Sequence, residues 1–168
     1  MADRTIDSLL RAIADGQTNA LSELYERTDK AVYAFALSIL KNAQDAEDVM
    51  HDCYVNIFRS ASCYHSDGKP MAWILTITRN LCMNLLRTRK RTVELTEAAW
   101  LRAEPTGEDR LILSMCMQEL SDTERQIVVL HAIAGFKHRE IAQFLSMTLS
   151  GVLSKYHRAI QKMKRSVQ

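Results

Sequence analysis

Only five glycines and two prolines interrupt 168 residues, and between them apolar side chains recur at three- and four-residue spacing. Gly and Pro are the strongest breakers of regular backbone, and that spacing matches the period of an α-helix, so helix is expected almost throughout. The expected fold class is all-α. A chain of this length can form one domain or two small ones, because domains of about 50 to 100 residues still bury a workable core.

The first predicted helix carries Ile6, Leu9, Leu10 and Ile13 on one face and stops near Gly16, a glycine placed as a C-terminal cap. A second begins after Thr18 and Asn19 and presents Leu21, Leu24, Tyr25, Val32, Phe35, Ala36, Ile39 and Leu40, with the polar run Arg27 to Lys30 as a candidate interruption. The third reads DAEDVMHDCYVNIFRSA, where Ala46, Val49, Met50, Cys53, Ile57, Phe58 and Ala61 form an apolar stripe. A polar loop from His65 to Pro70 precedes a fourth helix with Trp73, Ile74, Ile77, Leu81 and Leu85 on one face, ending in Arg87-Thr88-Arg89-Lys90-Arg91. Four helices can enclose one core, so 1–92 is expected to be a domain.

Charge divides the rest. The net charge is only +2, yet 93–109 holds five acids (Glu94, Glu97, Glu104, Glu108, Asp109) against the single base Arg102. With Pro105 and Gly107 near its end, 93–108 reads as an acidic linker, although LTEAAWLRAE can form a helical turn or two. A second domain is expected over 109–168: a helix started by Leu111, Ile112 and Met115, then a capping box at Ser121 to Glu124 opening a helix with Ile127, Val128 and Leu130. HREIAQFL and LSGVLSKYHRAIQKMKR follow, joined through Ser146-Met147-Thr148, and form a candidate helix-turn-helix. From Lys137 onward seven Lys or Arg face one acid, Glu140. A basic terminal helix attracts phosphate backbones without reading sequence. In that helix Leu149, Val152, Tyr156, Ile160 and Met163 are expected inside, leaving Ser150, Ser154, His157, Arg158, Gln161 and Lys162 outward.

Other function classes find little support. Asp45, Asp48 and Asp52 make an acidic ridge, but neither a nucleophile nor a glycine-rich phosphate loop accompanies them, so no enzyme and no catalytic residue is expected. His51, Cys53, Cys63 and His65 suggest a metal quartet, but residues two apart on a helix point about 200° apart, so no metal or other cofactor is expected. The four cysteines are scattered with no C-x-x-C pair and read as reduced thiols. No apolar run approaches the roughly 20 residues that span a bilayer, and MADRTIDSLL does not read as a secretory signal. The expected location is cytoplasmic.

Taken together, the segments resemble the extracytoplasmic-function branch of bacterial sigma factors. DAEDVMHDCYVNIFR is similar to the family's region that docks on the polymerase clamp helices, PMAWILTITRNLCMNLLRTRKR to its minus-ten recognition segment, and LSDTERQIVVLHAIAGFKHREIAQFL with SGVLSKYHRAIQKMKR to its minus-thirty-five domain. The resemblance implies a non-catalytic subunit that binds core RNA polymerase and promoter DNA, opens the minus-ten element and anchors on the minus-thirty-five element. It places Asp45, Asp48, Val49, Asp52 and Phe58 in the polymerase-binding helix. It assigns Ser66, Lys69, Arg79, Asn80, Asn84 and Arg87 to the separated minus-ten strand, whose unpaired bases expose edges that a duplex hides. Ser150, Ser154, Lys155, His157 and Arg158 would meet the minus-thirty-five element. It further implies control by an anti-sigma protein, and an acidic linker running through the RNA path of the polymerase.

Departures from the family pattern bear on DNA reading. Lys137 stands in place of a serine cap, Ser146 in place of a turn glycine, Gly151 of a threonine, Leu153 of a basic residue and Asn84 of an aspartate. Gly151 inside a helix is expected to cost about 1 kcal/mol relative to alanine. The alternative function is a stand-alone helix-turn-helix regulator that binds duplex operators, and a third is a module that binds polymerase but reads no promoter.

Overall fold

The computed structural model describes residues 5–92 and 117–166. The chain divides into two compact units, 1–97 and 98–168. All regular structure among the described residues is helical. The stretch 93–108, the helix expected from Leu111 and Cys116 lie outside those residues.

In the first unit, α1 (Ile6–Ala14) starts where the Thr5 side chain accepts from the Ser8 N–H. It ends as expected at Gly16, whose φ of +85° lets the N–H groups of Gly16 and Gln17 reach back to the carbonyls of Ile13 and Ala12. The second helix, α2 (Thr18–Leu40), runs through the polar stretch 27–30 without a break. Thr28 explains the difference: it is buried, its hydroxyl lies 2.7 Å from the Leu24 carbonyl, which accepts from it, and 2.7 Å from the Tyr54 hydroxyl. A polar residue that looks like a helix break in one dimension is satisfied inside the bundle.

Asn42 caps α3 (Ala43–Ser60), accepting from the Asp45 N–H, and a short 3-10 turn follows at Ala61–Cys63. Proline at the first position of α4 (Pro70–Thr92) needs no intrahelical N–H partner. The core holds Leu9, Leu10, Leu24, Phe35, Ile57, Ile74 and Leu75, all fully buried. Each such side chain contributes about 1.5–3 kcal/mol when removed from water. The buried face of α4 is rotated from the expected stripe: Ile74, Leu75, Thr78 and Cys82 lie at its centre, while Trp73, Ile77, Leu81 and Leu85 flank it. Thr78 is tolerated there because its hydroxyl donates to the Ile74 carbonyl and lies 3.3 Å from the Cys53 sulfur. Phe58, expected in the α3 stripe, is 47 % exposed, and Tyr54 takes an inward place.

The second unit contains α5 (Asp122–Ala132), α6 (His138–Phe144) and α7 (Leu149–Ser166). The capping box is present: Ser121 accepts from the Glu124 N–H and Glu124 accepts from the Ser121 N–H. Beside it, buried Arg125 donates to the carbonyls of Met117 and Leu120. Gly135, at φ +75°, turns the chain so that Phe136 N–H reaches the Leu130 carbonyl. Lys137 precedes α6 with only half a capping box, because an ammonium cannot accept; Glu140 receives the Lys137 N–H at 2.7 Å. Ser146 adopts φ +54° in the turn to α7, with its N–H and that of Met147 bonded to the carbonyls of Gln143 and Ala142. The core is formed by Ile127, Val129, Leu130, Ile141, Val152 and Ala159.

Candidate nucleic-acid interface

Helix α3, capped by Asn42, buries Ala46, Val49, Met50, Cys53 and Ile57, and this leaves Asp48 and Asp52 in solvent beside Glu47 and His51. Two apolar side chains, Val55 and Phe58, each 47 % exposed, continue this face. The face thus combines carboxylates with an exposed aromatic and an exposed aliphatic side chain. The other two residues expected on this surface turn inward. Val49 packs with Ala36, Leu40, Ala46 and Cys82, and Asp45 is gripped by Arg89, whose guanidinium nitrogens lie 2.6 Å from each carboxylate oxygen. Val55 lies outside the expected set because one apolar residue off the main stripe carries no periodic signal.

The loop before α4 is tied to α1. Tyr64 and Ser66 hydroxyls both donate to one oxygen of Asp7, at 2.7 and 2.6 Å, and Arg11 donates to Ser66 and pairs with the other Asp7 oxygen. Hydrogen bonds from Ser66 and Tyr64, aided by Arg11, hold the Asp7 carboxyl below its ordinary value. Burial and the Asp7 charge raise the Tyr64 phenol, so it stays a donor. Asp67 accepts from the Lys69 N–H, Gly68 supplies φ +79°, and the Tyr64 ring packs 5.2 Å from Trp73. Ser66 is therefore part of a built loop, and Asp7, Arg11 and Tyr64 join the site. No local pattern could have found them, since Tyr64 and Asp7 are 57 positions apart. Along α4, Asn80, Asn84 and Arg87 are exposed on one side with Met83, while Arg79 is half-buried.

In the second unit, Ser150, Ser154, His157 and Arg158 are exposed on α7, and Lys155 is half-buried. Lys162, expected outward, is drawn to the buried carboxylate of Glu124 at 2.8 Å. Burial raises the Glu124 carboxyl, but Lys162 and Ser121 outweigh it and leave it lowered. Leu149, expected inside, is 39 % exposed, and Ala159 fills the central place that the stripe missed. Gly151 sits close to the Thr148 side chain. Its N–H bonds the Thr148 hydroxyl at 3.1 Å, and a Cβ there would lie 3.0 Å from that same oxygen. Behind α7, His131 stacks on His138 with ring centroids 4.3 Å apart, and Tyr156 meets both edge-on.

Among the described residues no group of three or more His, Cys, Asp or Glu is placed so that it could hold a metal ion. Cys53 and Cys82 are buried free thiols, pushed by burial up to about 11 and about 12. The described surfaces are an acidic face with an exposed aromatic on α3, an amide- and arginine-bearing helix beside a fixed loop, and a helix-turn-helix with hydroxyl and basic residues outward.

Known proteins are similar to this chain in sequence and in fold. The family profile described as Sigma-70 region 2 matches residues 24–92, and that described as Sigma-70, region 4 matches residues 110–163. The chain is 26 % identical to the ECF RNA polymerase sigma factor SigK of Mycobacterium ulcerans (strain Agy99), over 95 % of this chain and 91 % of that protein. It is 25 % identical to SigK of Mycobacterium tuberculosis (strain H37Rv), with the same coverage. Among solved structures, CnrH in complex with the cytosolic domain of CnrY matches with a TM-score of 0.69 and 24 % identity, covering 96 % of both chains. The sigma factor RpoE of Bartonella quintana, in complex with the anti-sigma factor NepR, matches with a TM-score of 0.70 and 22 % identity, over 87 % of this chain and 94 % of that one.

Proposed function

The chain belongs to the extracytoplasmic-function sigma factor family, and from that membership we propose how its surfaces divide the work of directing RNA polymerase to promoters. It binds core RNA polymerase and promoter DNA and directs promoter-specific initiation. The observation that carries this is the order of the two matched regions, region 2 over 24–92 and region 4 over 110–163, in one chain.

In our reading the residues 1–92 form the polymerase-binding and minus-ten domain, 93–108 an acidic linker and 109–168 the minus-thirty-five domain. The exposed face of α3, with Asp48, Asp52, Val55 and Phe58, docks on the polymerase; Asp45 and Val49 support it from within, Asp45 by holding Arg89. Lys69, Arg79, Asn80, Asn84 and Arg87 handle the separated minus-ten strand, with Ser66 setting the loop beside them through Asp7. Amide side chains suit this task because they donate and accept at once, matching the exposed edge of an unpaired base. Ser150, Ser154 and His157 face base edges of the upstream duplex, and Lys155 and Arg158 its phosphates.

The role is regulatory rather than catalytic, and the protein works in the cytoplasm, where its polymerase resides. No helix among the described residues is long and apolar enough to cross a membrane. An anti-sigma protein that covers the docking or DNA faces is the regulator we propose, by analogy with the partners of RpoE and CnrH.

Start-site mapping on fragmented genomic DNA, with core polymerase alone and with this protein added, tests the reading. New starts that share two spaced upstream elements are expected. Tight duplex binding without polymerase, and no new starts, would instead identify a stand-alone operator-binding regulator.

A further inference from the structure

We propose that Leu149 and Leu153 of α7 read thymine in the upstream promoter element, by packing on the C5-methyl groups that thymine projects into the major groove. This deepens the assignment of α7 to duplex DNA and rests on it.

Leu149 and Leu153 are 39 % and 37 % exposed. Single exposed leucines are ordinary on protein surfaces. These two, however, stand four residues apart and so share one ridge of the helix, in the N-terminal half that a helix-turn-helix directs at base edges. Their exposed neighbours on the helix are Ser150, Ser154, His157 and Arg158, all polar or basic. The ridge thus lies within the surface assigned to DNA, flanked by short hydroxyls that do not reach as far as a leucine.

Chemistry narrows what the ridge can meet. A leucine has no donor for guanine N7 and O6, no amide to pair with adenine and no acceptor for the cytosine amino group. The one apolar feature on the floor of the major groove is the thymine methyl. A basic side chain, which the family pattern favours at the position of Leu153, would select guanine instead. Backbone affinity need not suffer, because Lys155, Arg158, Lys164 and Arg165 remain on the same helix to meet phosphates.

The test uses the full chain with core polymerase. A duplex library randomised upstream of the start site is selected for initiation, and each thymine in the selected upstream element is then replaced singly by deoxyuridine. Uracil keeps the pairing edge and lacks only the methyl. We expect at least one position where uracil weakens promoter binding about fourfold, the factor for one methyl withheld from burial. With Leu153→Ala or Leu149→Ala the thymine promoter weakens by a similar factor and the uracil penalty disappears. Leu153→Arg shifts the selected base toward guanine.

A selected element in which uracil is tolerated everywhere would overturn the inference while leaving α7 a DNA reader. So would a uracil penalty that persists in both alanine variants, or promoter binding that neither alanine variant changes; the last would mark the ridge as a protein-docking surface. Initiation that selects no upstream sequence would overturn the assignment of α7 as well.

Discussion

His138 shows how one side chain inherits its chemistry from neighbours. Its Nε2 is buried without a hydrogen-bond partner among the described residues, and it stacks on His131 under the edge of Tyr156. Burial, then the charges of His131 and His157, lower its pKa below the ordinary 6.5. As pH falls below 6.5, the unfolded chain therefore takes up a proton that the folded one refuses. The stability this histidine contributes is complete above pH 6.5 and is lost as pH falls toward its folded value. Urea unfolding of the full chain, followed at amides of the second unit, is expected to show a midpoint that drops below pH 6.5, and His138→Phe should flatten that drop. Ser146 is a second residue whose cost is local. At φ +54° a side chain costs about 1–2 kcal/mol, whereas glycine loses about 0.5–1 kcal/mol more backbone freedom on folding than alanine does. Ser146→Gly should therefore stabilise the second unit by about 0.5 kcal/mol in the same measurement. Gly151→Ala should not yield the full gain of about 1 kcal/mol that helix propensity promises, because the new Cβ would crowd the Thr148 hydroxyl.

Among the elements, α1 and α4 carry the most instructive relation, since the loop between α3 and α4 is shaped by a helix far from it in sequence. Asp7 receives both Tyr64 and Ser66. Asp7→Ala removes the shared acceptor and is expected to raise amide hydrogen exchange across 64–69 severalfold, leaving the buried centre of α2 unchanged. Unchanged exchange in the loop would mean that Gly68 and the Tyr64–Trp73 contact suffice to hold it. The capping box at Ser121 is the opposite kind of device, complete within four residues and legible at once. Losing it through Ser121→Ala should cost about 1 kcal/mol, read as a lower unfolding midpoint for the second unit.

For the whole molecule, the near-neutral total of +2 conceals acid in one stretch and base in another, so a net figure says little about DNA affinity. What counts is how many cations reach phosphates. In the complex of this protein, polymerase and promoter, Arg158→Ala should lower the slope of log affinity against log salt by about 1, the change that removing a single cation from the phosphate backbone produces. A variant that alters base preference instead would place Arg158 at a base edge. The sequence by itself determined the all-helical class, the cap at Gly16, the capping box at Ser121, the turn before α7 and the family. All of these are written in short-range periodicity, in residues with special backbone freedom, or in the order of motifs along the chain. Only the tertiary structure decided that Asp45 serves Arg89, 44 positions away, and that Lys162 serves Glu124, 38 positions away. It alone kept α2 unbroken at Thr28, rotated the buried face of α4 toward Thr78 and Cys82, and left Leu149 exposed. The physical reason is common to these cases: a polar group can be buried, and an apolar one exposed, when a partner or its absence is set by packing, and packing joins residues whose separation along the chain leaves no periodic trace.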